Sequence, residues 1–391
     1  MYLHNLHVVD VNGSNEVRTI RIVENRINAI GTGDSLPFYE KEELSLSFEH
    51  AIVFPGLINS HDHLDFNLFP ALGHKTYSNY IEWGATIHRE YGGEIKAILR
   101  VPKPLRTQWG IYKNLLNGVT TVLNHGNKLS VGITPIAVNQ SEYSLHSMRL
   151  EKNMIFKINN PFNIKRKIVI HIGEGIDKDT FDEINRLIHL NVLRKALVGV
   201  HGIAMNEDQA AFFKALVWCP DSNYFLFGQT AKINKLKDKL PVIFGTDSTL
   251  TGKWNIWEQI RIARQTNMVT EAELFNMLTM VPADIWQLPF CGKVAEGYQA
   301  DLVVAKMKNK EALASFFTID PADILLVLHK GNIRLFDGKL YQALSNRLPD
   351  ISRFNPVYID GQAKYILGDL PGLSRIIRDY YTDAFFPFTV E

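Results

Sequence analysis

The sequence predicts an α/β protein: a (β/α)8, TIM-like barrel in the middle of the chain, and a small β-sandwich-like domain built from both chain ends. Three observations carry this. The middle alternates apolar strand-like runs with helical patterns at roughly 25- to 35-residue intervals, the rhythm of parallel strands joined by crossovers. Both ends hold short β-branched runs punctuated by turn residues. Several of the middle runs close on histidine or aspartate, at the level where a parallel barrel keeps its catalytic groups.

At 391 residues the chain has room for two or three domains, or for one large barrel with an addition. Apolar residues make up 46% and charged residues 21%, the mix of a globular protein with a sizeable core. The 42 basic and 41 acidic side chains leave a net charge of +1. No global field therefore draws the chain to nucleic acid or to an acidic membrane, and no Lys/Arg cluster interleaved with aromatics reverses that. Two cysteines, Cys219 and Cys291, are too few for a disulfide scaffold and point to a reducing compartment. The opening MYLHNLHVVDVNG lacks the basic start and apolar core of a signal peptide. No run approaches the about 18 apolar residues that a membrane helix needs. The expectation is a soluble, cytoplasmic protein with a small-molecule substrate and neither nucleic-acid nor membrane partners.

In chain order, HNLHVVDV, VRTIRIV and RINAIG read as strands separated by the turn segments NGSN and EN. AIVFPGLINS is an apolar run that ends at His61 and His63. VPKPLRTQWGIYKNLLNGVTTVLNHG reads as a helix closed at Gly118, then a strand ending near His125. KIVIHIGEG is a strand followed by the helical TFDEINRLIHL; then come ALVGVHG, a helix opening at Asn206, ALVWCP, the helical TAKINKLKDK, and PVIFGTDS. Between His125 and KIVIH lie only about 45 residues, where a regular barrel places two strands and two helices. The barrel is therefore expected to be shortened around strands 3 and 4, with YSLHSMRL and NMIFKIN as strand candidates. GKVAEGYQADLVVAK and ILLVLHKGNIRLFDGKLY return to β material. The expected division is 1–53 with 291–345 as the small β domain, 54–290 as the barrel, and 346–391 as a C-terminal extension. That extension holds an Asp-Gly hairpin, YIDGQAKYI, and an amphipathic LSRIIRDYY, and would cover the barrel or mediate self-association.

Residues two apart on a strand point to the same side. His61 and His63 therefore both face the barrel mouth, with Asp62 turned away, and two imidazoles so held can chelate one ion. KIVIH ends in His171, ALVGVH in His201 and PVIFGTD in Asp247. Together His61, His63, His171 and Asp247 form a three-histidine, one-carboxylate set that suits Zn2+ and also Fe2+ and leaves a place for water. Among 13 histidines a lone His-x-His pair carries little weight; four strand ends in this order carry far more.

On these residues the sequence resembles the amidohydrolase superfamily of metal-dependent hydrolases. FPGLINSHDH is similar to its first-strand signature. HIGEG puts Glu174 three residues after His171, the His-x-x-Glu spacing of the cytosine deaminase and chlorohydrolase-like branch. HGIAM, WCPDSNYFLFG and FGTDSTLTG resemble that branch's sixth-, seventh- and eighth-strand segments, and VTEAELFNMLTMVPADIWQL with GKVAEGYQADLVV its closing helices and return to the β domain. The resemblance implies one divalent metal, with Zn2+ expected before Fe2+, bound by His61, His63, His171 and Asp247. It implies that Glu174 shuttles protons and that His201 polarises the substrate or holds the attacking hydroxide. The chemistry agrees: Asp247 is placed to accept the first proton, and Glu174 to protonate the ring nitrogen or leaving amine.

The implied reaction is deaminase-like hydrolysis of a C–N bond, other than a peptide bond, in a small cyclic nitrogenous substrate. Tyr77, Asn79, Tyr80 and Trp83 offer stacking faces and hydrogen bonds to a planar ring, although packing the loop onto the barrel explains them as well. His74, His125 and Arg149 are further pocket candidates, Arg149 for a substrate carboxylate. Asn223 reads as a turn-former at the rim. Two other readings stand beside this one. The first is a binuclear amidohydrolase that cleaves a cyclic amide or ester, with Lys157 carboxylated and His201 on a second metal; Lys157 lies too close to His171 for a full helix between them. The second is a non-catalytic barrel without metal, against which the intact ligand set argues. A homodimer is compatible with the family resemblance.

Overall fold

The computed structural model describes residues 1–13, 16–32, 43–163 and 165–390. The N-terminal β material forms β1 (Tyr2–Val8), β2 (Val17–Val23), β3 (Arg26–Gly31) and β4 (Ser45–Pro55). The central strands are β5 (Leu57–Asp62), β6 (Val119–Asn124), β7 (Ala137–Asn139), β8 (Tyr143–Ser147), β9 (Ile168–Ile172), β10 (Leu197–His201), β11 (Ala215–Trp218) and β12 (Val242–Phe244). The C-terminal ones are β13 (Leu302–Lys306), β14 (Ile324–His329), β15 (Asn332–Asp337), β16 (Phe354–Ile359) and β17 (Gln362–Leu367).

Both chain ends meet in one hydrogen-bonded sheet of nine strands, ordered β16-β17-β15-β14-β13-β4-β1-β2-β3, and residues of both ends share one apolar core, from Leu3 and Ile20 to Val304 and Phe336. The reason lies in β4. It pairs parallel with β1 on one edge and antiparallel with β13 on the other, stitching the two ends into one ladder. The apolar run 51–60 divides between two structures at Gly56. A Cβ there would sit 2.2 Å from the Thr120 side chain, so only glycine allows the step from the sheet into β5.

Strands β5 to β12 make a TIM-barrel-like arrangement of two parallel arcs, β5-β6-β7 and β8-β9-β10-β11-β12. The ring is joined at one end, where the N–H groups of Thr246 and Asp247 donate to the His61 carbonyl at 3.1 and 3.0 Å. No ladder joins β7 to β8. The three-residue link 140–142 is too short for a crossover helix, and β7 itself has three residues. YSLHS is strand β8, but NMIFKIN is not a strand: Met154–Ile158 is a helix. Met154 and Ile158 are buried while Ile155 and Phe156 are exposed, which is helical spacing. Val169, Val198, Val200, Val217, Ile243 and Trp286 fill the barrel interior.

The C-terminal segment supplies β16 and β17 to the sheet, and its helix Leu370–Tyr380 packs on helix Lys103–Leu116. Phe386 stands edge-on to Trp109 at 5.0 Å between ring centroids. Among the described residues, no helix is long and apolar enough to cross a membrane.

Lys364 on β17 is fully buried. Its ammonium donates to the carbonyls of Ala322 (2.8 Å) and Ile324 (2.7 Å) and to the Asp337 carboxylate (2.6 Å), so all three of its donors are used. Lys364→Ala strands a buried Asp337 charge and is expected to cost about 3–5 kcal/mol in chemical denaturation. The double variant Asp337→Asn/Lys364→Met should recover most of that; an undiminished loss would show that the bonds to the Ala322 and Ile324 carbonyls, not the charge pair, decide.

Candidate metal and proton-transfer site

The ends of β5, β9 and β10 and the residues after β12 bring His61, His63, His171, His201 and Asp247 together. His61 Nε2 and His171 Nε2 stand 3.2 Å apart, and Asp247 Oδ1 lies 3.8 Å from His61 Nε2 and 3.7 Å from His63 Nε2. Four donors about 2.0–2.1 Å from one ion in a tetrahedron stand roughly 3.4 Å from each other. These spacings are of that order, and two overlapping groups, His61 with His171 and His201 and His61 with His63 and Asp247, could hold a divalent metal. Burial first, and then the neighbouring histidines, drive His61 and His171 well below the usual imidazole range. Both are neutral, with lone pairs free for a cation. The donor set fits.

Asp247 is in the left-handed region at φ 55° and His201 at φ 72°, conformations that cluster at functional sites when the surroundings hold them. The Asp247 carboxylate accepts from the Ser248 N–H (2.8 Å) and from the hydroxyls of Ser222 and Thr251 (3.0 Å each). Burial works to raise its pKa, but His63, His201 and these donors outweigh burial and hold it below the usual carboxylate range.

His201 Nδ1 donates to the Asn223 side-chain oxygen at 2.9 Å, and the Asn223 amide donates in turn to the Thr230 hydroxyl at 3.0 Å. That fixes which ring nitrogen faces the site. His201 Nε2 lies 3.7 Å from the Glu174 carboxylate and 4.0 Å from Asp247 Oδ2. Asn223, read as a rim turn-former, is a fully buried residue of helix Pro220–Phe227 that orients His201. Glu174 is the opposite case to Asp247. Burial dominates there, only partly offset by His201, and pushes the carboxyl up to about 7.

These groups open on a cleft of about 390 Å3. Phe66, Phe69, Trp83, Ile87, Leu150 and Leu250 make its apolar wall, and Tyr80, His146 and Thr251 add polar points. Among the described residues lining it, none is lysine or arginine. Trp83 and Tyr80 therefore sit where the sequence put them, but other candidates do not. Tyr77 is buried among Ile203, Leu226 and Phe227. Asn79 caps helix Tyr80–Glu90, and His74 pairs with Glu90 at 3.2 Å on the surface. Arg149 is engaged with Asp179 (3.5 Å) and Glu183 (3.6 Å). His125 is packed behind the ligands, its ring 4.4 Å from that of His171 and its Nε2–H donating to the Leu145 carbonyl at 3.0 Å. Lys157 lies on helix Met154–Ile158 and pairs with Glu151. The residue that sequence reading missed is His146 on β8. It is accessible from the cleft, with its ring 5.4 Å from that of His171. Asking how YSLHS ends, as was asked of the other strands, would have found it.

The amidohydrolase family model matches residues 162–334. A 5-methylthioadenosine/S-adenosylhomocysteine deaminase of Desulfitobacterium hafniense is 24% identical over 387 residues, covering 82% of this chain and 88% of that protein. Two solved structures share the fold. An adenosine deaminase from Xanthomonas campestris with bound zinc superimposes with a TM-score of 0.69 at 15% identity, covering 88% of this chain and 96% of that one. Atrazine chlorohydrolase TrzN from Arthrobacter aurescens TC1, complexed with zinc, gives 0.65 at 14% identity, covering 88% and 98%. Residues 162–334 thus match the amidohydrolase family, and most of the chain is similar to deaminases and hydrolases with that fold. The family match and the deaminase relatives indicate a hydrolase, and its histidine–aspartate groups could hold a divalent metal.

Beside the site, Glu183 on helix Lys178–Leu190 accepts from the Gly173 N–H at 3.2 Å. Burial raises its carboxyl to about 7, against the pull of that N–H and of Arg149. With its folded pKa above the unfolded value, Glu183 contributes stability that is fully present below about pH 4.5 and lost as pH rises toward 7. Relative to the parent, Glu183→Gln is expected to gain on the order of 2 kcal/mol between pH 5 and pH 8. Thermal unfolding at the two pH values checks this, and a constant difference between the proteins would contradict it.

Proposed function

We propose that this chain is a mononuclear metal-dependent deaminase of the deaminase and chlorohydrolase-like branch, acting on an uncharged heterocyclic amine with an apolar substituent. The observation that carries this reading is the pair of carboxyls with opposite environments, Asp247 held ionised and Glu174 keeping its proton up to about neutral pH, on either side of His201. Paired groups whose surroundings drive their pKa values apart are the sign of a base and an acid at one centre.

His61, His63, His171 and Asp247 would hold the ion, with Zn2+ favoured by the nitrogen-rich set. When bound there, a divalent metal makes hydroxide available at neutral pH by lowering the pKa of water. Asp247 accepts the proton of the attacking water. His201, its Nδ1–H fixed by Asn223, presents Nε2 to the oxygen arriving at the amine-bearing carbon. Glu174 gives its proton to the ring nitrogen; Asp247 then returns its proton to the amine and Glu174 takes back the proton of the added hydroxyl, so the C–N bond breaks to release ammonia and leave a carbonyl in the ring. The substrate's remainder lies against Phe66, Phe69, Trp83 and Leu250, and His146 offers a ring nitrogen to it. The Desulfitobacterium relative is named for two adenine-bearing thioethers, and we extend that heterocyclic-amine class to this chain. The nine-stranded sheet is read as an auxiliary domain, since none of its strands lines the cleft. Two unpaired cysteines support a cytoplasmic setting.

The binuclear alternative loses its main support, because Lys157 is paired with Glu151. Elemental analysis of protein purified without chelator should give about one equivalent of divalent metal per chain, and about two would revive that alternative. In an ammonia-release screen over heterocyclic amines, Glu174→Gln is expected to lower kcat by about 10²- to 10⁴-fold while keeping its metal. A variant that turns over at the parental rate would remove Glu174 from the chemistry.

A further inference from the structure

We propose that Asp62, with Lys113 as its buried counterion, is a positioning residue that sets the geometry of the metal ligands on β5 and after β12. The proposal rests on the metal reading above and adds a role for the one residue of His61-Asp62-His63 that turns away from the site.

Asp62 and Lys113 are both essentially inaccessible. The Lys113 ammonium, in the middle of helix Lys103–Leu116, lies 3.0 Å from Asp62 Oδ2 and donates to Asn67 Oδ1 at 2.8 Å. Three amides complete the hub. Asn67 donates to Asp62 Oδ1 at 2.7 Å, and Asn114 and Asn59 donate to Oδ2 at 2.7 and 3.3 Å. Successive side chains on a strand point to opposite faces, so donors that clamp Asp62 from the helix side fix the rotation of the β5 end. That rotation is what aims His61 and His63.

The same hub reaches the fourth ligand. Asn59 donates to the Thr246 hydroxyl at 2.8 Å and accepts the Thr246 N–H at 3.0 Å. The Thr246 hydroxyl donates to the Asp247 carbonyl at 2.9 Å, and Asp247 is a residue held at positive φ. A continuous buried path thus runs from Lys113 through Asp62, Asn59 and Thr246 to Asp247. Apolar residues could fill this space without the desolvation that a buried ion pair requires. The network places both halves of the ligand set at once, the role of groups that lie behind a metal's direct ligands.

The test uses the full chain with zinc and a chromophoric chelator in competition, comparing the parent with Lys113→Met, Asp62→Asn/Lys113→Met and Thr246→Val. Melting of the metal-free proteins is followed in parallel. Lys113→Met is expected to weaken zinc binding by about 10- to 100-fold. The double variant should regain melting temperature, because no charge is left unpaired, without regaining zinc affinity. Thr246→Val buries no new charge, so it folds even if Lys113→Met does not; it should lower affinity about tenfold with little change in melting. Variants that bind zinc within twofold of the parent while melting lower would overturn the proposal and leave the pair a purely structural one. Failure of the parent itself to bind zinc would instead refute the metal reading on which the proposal stands, and the proposal with it.

Discussion

The carbonyl of His61 accepts the N–H groups of both Thr246 and Asp247, and the site depends on that join. It ties the first barrel strand to the segment after the last one. Through it a residue in the first strand and a residue nearly two hundred positions later share one backbone contact. Asp247 could not hold its left-handed backbone without such support. Close packing around the join leaves no slack, since a Cβ on Gly245 would meet the His61 side chain at 2.7 Å. Glycine before Asp247 is thus a condition of the ligand set, as glycine at position 56 is a condition of β5 leaving the outer sheet.

Upon that frame the chemistry follows from unequal solvation of like groups. Glu174 and Asp247 are both buried carboxyls. Asp247 receives three hydrogen bonds and faces three imidazoles, whereas among the described residues the Glu174 carboxyl has no hydrogen-bond donor and one imidazole, that of His201, beside it. Burial alone would raise both. The donors and the imidazoles decide which one ionises, and the donors come from Ser222, Ser248 and Thr251. The apolar cleft wall acts in the same direction, because low local polarity strengthens each charge contact at the closed end.

How far the sequence revealed this depended on the range of the interaction concerned. His61 and His63 were legible because a period of two is a local property. His171, His201 and Asp247 were legible because each ends an apolar run. Asn223, Tyr77 and Arg149 were not, because what each does is set by a partner distant in sequence: His201, the Leu226 cluster, and Glu183. The single nine-stranded sheet was hidden for the same reason. Nothing within β4 announces that its two edges will pair with opposite ends of the chain. His146 is the exception, a local signal that lay in a stretch too irregular for its strand end to be read.

That irregular stretch also shows how the barrel tolerates damage. The arcs part between β7 and β8, the place where the chain lacks a crossover. His61 and Asp247 sit at the join that the His61 carbonyl makes, while His171 on β9 and His201 on β10 are held by unbroken parallel ladders within their own arc. Side chains satisfy backbone groups of the loop and link that flank the seam. Gln140 bonds both the N–H and the carbonyl of Leu129, at 2.7 and 3.1 Å, and Arg166 donates to the carbonyls of Ser141 and Glu142. Backbone groups that would otherwise invite another strand are thereby satisfied. A barrel shortened there loses a connection and keeps its centre, whereas the same deletion between β12 and β5 would remove the contact that places Asp247 beside His61.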